Sequence, residues 1–178
     1  MRFRDVGSVW YRGSDSSSVG LKVDGNVSEQ FGPGVYFTDD PRIAGDYGRV
    51  REYSIDISKG FCFKGDKIDR VKIKELIGFA DGEHLGLALS NWDENPKVAM
   101  RRLFDSIMKC KDMPDAVTQV ALDVFNWDRD DFLMSARACG INGIVIDDPF
   151  DSGRSSRFLV LYNFKLARLV SDEVVEYD

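Results

Sequence analysis

The chain has 178 residues, 43% of them hydrophobic and 30% charged, the size and balance of one globular domain. Its net charge of −6 argues against a nucleic-acid surface, which needs a basic face, and its three cysteines (Cys62, Cys110 and Cys139) are too widely spaced for a zinc motif. A single histidine, His84, with no nucleophile motif near it, argues against Ser-His or Cys-His catalysis and reads as a solvated or capping residue.

The first residues, Met1-Arg2-Phe3-Arg4-Asp5, lack the apolar run of a signal peptide. No stretch of about 18 apolar residues occurs, so no membrane span is expected. A soluble, cytoplasmic protein is expected, whether in the producing cell or in a host, with its cysteines as buried free thiols.

In chain order, residues 1–64 are rich in strands and turns. Val9-Trp10-Tyr11-Arg12 is a short strand closed by Gly13. Residues 14–32 hold many Ser, Gly and Asp and read as a loop. Residues 34–38 form a second strand. Asp40-Pro41 then starts a short helix ending near Tyr47-Gly48, with Asp as the cap and Pro in the first turn. Residues 49–57 alternate, placing Tyr53, Ile55 and Ile57 on one face of a strand.

Residues 65–139 read as a helical block. Asn95-Pro96 opens a helix with Val98, Leu103, Phe104, Ile107 and Met108 along one side. The adjacent basic pair Arg101-Arg102 reads as its solvated face. Asp112 and Pro114 open another helix, with Val117, Val120, Ala121, Val124 and Phe125 facing inward. Asp128 caps a third, carrying Phe132, Leu133 and Ala136, and Gly140 ends it. Strands then return. Residues 141–146 lead into Asp147-Asp148-Pro149, and 150–156 form a polar loop. Residues 157–162 are nearly continuously apolar, as in a buried strand, and 166–170 make a last edge strand. The predicted class is α+β, a single domain over 1–178, with strands at both ends of the chain.

Three separated segments carry a chemical pattern. They are Trp10-Tyr11-Arg12-Gly13-Ser14, then Gly34-Val35-Tyr36-Phe37 with Tyr47-Gly48 after it, and last Gly140-Ile141-Asn142-Gly143-Ile144-Val145-Ile146 followed by the strand from Arg157. In order and spacing this resembles the ADP-ribosyltransferase superfamily, especially its diphtheria-toxin and poly(ADP-ribose)-polymerase-like branch. The likeness spans residues 9–57 and 139–170, somewhat under half of the chain, and leaves the helical block uncovered.

The resemblance implies a split pair of small β-sheets around a cleft, with 65–139 as a helical insertion. It implies NAD as co-substrate, held by Arg12, Gly13, Ser14, Tyr36 and Tyr47, and a protein as target. It implies a mono-ADP-ribosyltransferase, in the manner of a phage-encoded or bacterial host-modifying effector or toxin. The physical reading agrees. Nicotinamide is flat and cationic, and two tyrosine faces can sandwich it. Gly13 lets main chain approach the carboxamide, and the Arg12 fork suits ribose or phosphate oxygens.

Breaking the nicotinamide–ribose bond creates an oxocarbenium-like centre, which a carboxylate beside the ribose stabilises. The resembling branch starts its last strand with a catalytic Glu, and here that position is Arg157. The nearest acids are Asp147, Asp148 and Asp151. Asp148 is the choice for the catalytic group, because it sits farther into the loop while Asp147 finishes the strand. Arg157 keeps a second class open, a fold relative without catalysis that acts as a binding or inhibitory module. A NAD hydrolase, with water as acceptor, needs the same site. No metal is expected.

Overall fold

The computed structural model describes residues 9–14, 21, 32–90, 95–147 and 156–172. In chain order these form β1 (Val9–Ser14), β2 (Val35–Thr38), α1 (Pro41–Gly45), β3 (Arg49–Ile55) and β4 (Phe61–Phe63). The helices α2 (Arg70–Gly78), α3 (Gly82–Ser90), α4 (Pro96–Ile107), α5 (Met113–Asp123) and α6 (Arg129–Ala138) follow. The chain returns to strand in β5 (Gly143–Asp147), β6 (Arg157–Leu161) and, after one 3-10 turn, β7 (Ala167–Ser171).

The helix starts follow from capping chemistry. Asp40, Asn95, Asp112 and Asp128 each accept a hydrogen bond from a main-chain N–H of the first turn. In α1, α4 and α5 a proline in the first turn removes a donor that would have no partner. Asp69 caps α2 in the same way, through Val71 and Lys72. Gly140, at φ 69°, takes the left-handed conformation that ends α6.

All seven strands join in one mixed sheet of order β4-β5-β6-β2-β1-β3-β7. The expected split pair of small sheets is therefore corrected. β1 pairs with β3 over its whole length and with β2 through Tyr11 and Thr38, so the ladder runs on across the middle. Neighbours are antiparallel except β4 and β5, which are parallel. A parallel pair needs a long crossover, and α2–α6 supply it. β5 lies beside β6 in register, Gly143 opposite Leu161 and Asp147 opposite Arg157, as the sequence led one to expect.

Alternation along the strands sorts the core into two faces. One meets the helices. Ile144, Val160 and Tyr162 pack there with Ile73, Leu76, Leu103, Ile107, Val117, Val120, Phe125 and Phe132, and Tyr36 and Ile146 join its margin. Helices and sheet thus share a core. Trp10, Val35, Phe37, Tyr53, Ile55, Val145, Leu159 and Leu161 form the other face, over which Leu21, Ile57, Phe164 and Leu166 lie.

The apolar stripe of α4 differs from the one expected. Ala99, Leu103 and Ile107 are buried, one turn apart, whereas Val98 is exposed and Met108 lies just past the helix end. Ala99 was overlooked because a methyl group gives little hydrophobic signal, yet it lets α4 approach closely. Arg101 and Arg102 are exposed, as read.

Candidate functional site at the seam between β1 and β2

β2 is bound unequally on its two sides. Towards β6 it pairs at four successive positions, Val35–Leu161 to Thr38–Phe158; towards β1 it pairs only at Thr38, with Tyr11. The direction of the main-chain groups locates the opening. Asp39 donates its N–H to the carbonyl of Arg157 at 3.1 Å, so the odd-numbered residues here aim at β6. Tyr36 and Thr38 then aim at β1. Because Thr38 pairs with Tyr11, Tyr11 aims at β2, and so does Gly13 two residues on. Gly13 and Tyr36 turn main-chain N–H and C=O groups toward one another beyond the last rung of the ladder.

By the same alternation Tyr11, Gly13, Tyr36 and Thr38 share the helix-side face. α1 rests there against Gly13. A methyl group at that glycine would stand 1.8 Å from the carbonyl oxygen of Ala44 and 3.1 Å from the carbonyl carbon of Tyr47. The missing side chain is therefore used by α1, which the sequence did not foretell. The result brings Tyr47 to the seam with its side chain half exposed. Tyr36 is half-buried, and its hydroxyl donates to the carbonyl of Gly32 at 2.7 Å. Gly32 has φ 94°, and a methyl group on Gly34 would lie 2.6 Å from Val160 Cγ1, so both glycines of Gly32-Pro33-Gly34 have structural work as well.

Arg12 and Ser14 lie elsewhere. Both are buried, and alternation places them on the opposite face with Trp10. Arg12 hydrogen-bonds Tyr53, whose phenol is raised above its ordinary range by burial, against the lowering effect of the Arg12 and Arg51 guanidiniums. Arg51 donates to Asp172 at 2.7 Å, and this bond holds that carboxyl below its usual range. The structure thus gathers Gly13, Tyr36 and Tyr47, and leaves the Arg12 and Ser14 side chains across the sheet from them.

Arg157 is tied down at the start of β6. Asp39 accepts from its main-chain N–H through Oδ1 and from its Nε through Oδ2, both at 2.7 Å. Asp39 was missed in the sequence because Asp40 beside it carried the helix-cap signal. Asp147 ends β5 opposite Arg157, as expected, and its carbonyl accepts from Lys64 Nζ at 3.2 Å. Asp148 and Asp151 lie outside the described residues.

No family model, no curated protein and no solved structure matches this chain. Among the described residues, no helix is long and apolar enough to cross a membrane.

Proposed function

We propose that the protein is a mono-ADP-ribosyltransferase that moves ADP-ribose from NAD to a protein target. The observation that carries the reading is the open seam, where Gly13 and Tyr36 turn main-chain polar groups toward each other with Tyr47 alongside. A carboxamide has one acceptor and two donors, the complement of an unpaired strand edge. The flat ring beside it meets tyrosine on the same face. Asp148 is the proposed carboxylate at the ribose, and a phage or bacterial host-modifying role fits the family resemblance.

Arg12 takes a reduced part in this reading, because its guanidinium is on the far face of β1. The contact proposed for positions 12–14 is main chain at Gly13. A second reading is favoured by one observation: the position where the resembling branch carries Glu holds an arginine already bound by Asp39. That suits a fold relative that binds NAD or a protein without catalysis.

The test uses the whole chain, labelled NAD and lysate of candidate host cells. The expected result is transfer of label to a protein. A Tyr47→Ala variant should bind NAD about 2- to 30-fold more weakly, the loss of one ring contact of roughly 0.5–2 kcal/mol. Asp148→Ala should keep binding and lose about 100- to 1000-fold in rate. Nicotinamide release without labelled protein points to hydrolysis. NAD binding without any turnover selects the second reading, and absence of NAD binding by calorimetry overturns the NAD-dependent readings together.

A further inference from the structure

Away from the seam, the one histidine sits among carboxylates from two helices. His84 is in the first turn of α3 and is mostly buried, with 17% of its side chain exposed. Its Nδ1 lies 3.0 Å from Asp81 Oδ1 and 3.5 Å from Asp131 Oδ2. Its Nε2 faces Asp128 Oδ2 at 3.7 Å. Asp128 caps α6 and Asp131 is in its first turn.

Helix capping accounts for part of this. Asp81 Oδ1 accepts from His84 N at 2.8 Å, and Asp128 Oδ1 accepts from Asp131 N at 3.2 Å. Capping does not account for two carboxylates at one ring nitrogen. A single N–H donates well to only one of them, and a bare nitrogen to neither. A metal ion in place of the proton serves all three. Ligand atoms about 2.1 Å from a common ion stand about 3.0–3.4 Å apart in octahedral or tetrahedral geometry. The observed 3.0 and 3.5 Å edges are close to those values, and the three ligand atoms lie within 4.8 Å of one another. The other ring nitrogen meets a carboxylate, the arrangement that orients metal-bound histidines.

We infer that Asp81, His84 and Asp131 bind a divalent transition ion, zinc being the fitting choice, with Asp128 orienting the imidazole through Nε2. Nitrogen and carboxylate ligands suit zinc or cobalt better than magnesium, which prefers oxygen alone. Three protein ligands leave a coordination position for water. The ion links the start of α3 to the start of α6. It also offsets part of the charge of three neighbouring carboxylates.

The test is made on the full chain after chelation. Because the chain has one histidine, its imidazole resonances report the site without ambiguity. One equivalent of zinc should move them, with a rise in melting temperature, while magnesium at the same concentration should not. Asp131→Asn keeps the α3 cap and should weaken zinc at least about 10-fold; Asp128→Asn should weaken it about 10- to 100-fold. Cobalt should give a visible spectrum free of thiolate bands, lost in His84→Ala. Unmoved imidazole resonances under excess zinc, or equal affinity in a folded His84→Ala variant, overturn the site. Thiolate bands would assign the ion to cysteine and overturn it too.

Discussion

At the scale of the residue, Gly13 shows how one position serves two needs. As a member of a strand edge it turns main-chain groups into the seam. As a residue without Cβ it lets the last turn of α1 lie on the sheet. A Gly13→Ala variant must move backbone by more than an ångström to relieve its contact with Ala44. We expect it to lose about 1–3 kcal/mol of stability, measured by urea denaturation, the usual cost of overpacking. Loss of NAD binding in that variant would then report displacement of α1, so Tyr47→Ala is the cleaner probe. The sequence displayed Gly13, Tyr36 and Tyr47, because glycine and tyrosine stand out in strand-like segments. It did not display the side-chain direction of Arg12. That depends on which strand face meets which core, and Trp10, two residues earlier, settles it by burying against Tyr53 and Phe37.

At the scale of the element, caps made the helix starts legible. Asp40-Pro41, Asn95-Pro96, Asp112 with Pro114, and Asp128 all proved to be the expected starts. β4, α2 and α3 were not separated in advance. A three-residue strand such as Phe61–Phe63 has no period to detect, and its partner β5 is far away in sequence. Asp112 goes beyond its expected role. Buried almost completely, it caps α5 through Asp115 N and accepts from Gly65 N at 2.8 Å with its second oxygen. Asp112→Ala should cost about 1–3 kcal/mol by chemical denaturation, more than an ordinary exposed cap, because a second N–H loses its partner. Asp112→Asn retains one acceptor oxygen and should recover part of that loss.

At the scale of the whole molecule, titratable groups set an alkaline limit. Burial pushes the Cys62 and Cys139 thiols up to about 11, and raises the phenols of Tyr53 and Tyr162. In the unfolded chain thiols ionise near pH 8.5. Between about pH 8.5 and 11 the folded state therefore holds more protons, and stability falls as pH rises. The urea midpoint should drop between pH 8 and pH 10.5, and the drop should be smaller in Cys62→Ala. A midpoint that rises over this range would contradict the burial of these groups. Asp172 works at the other end: its carboxyl is depressed by Arg51, so its contribution is present above about pH 4 and is lost on acidification.

The sheet order also has a consequence in time. The central strands β5 and β6 come from the last part of the chain, and β2 and β4 have them as neighbours. During synthesis the segment up to Phe63 emerges before its partners exist. About 80 further residues must be made before β5 appears, which takes about 4–16 seconds at roughly 5–20 residues per second. Through that interval Val35, Phe37 and Cys62 have no sheet to join, and the helical block, rich in contacts close in sequence, has time to form first. A nascent chain stalled between α6 and β5 would expose paired-strand edges with nothing to cover them. It is in that window that the ribosome-bound protein most needs a chaperone.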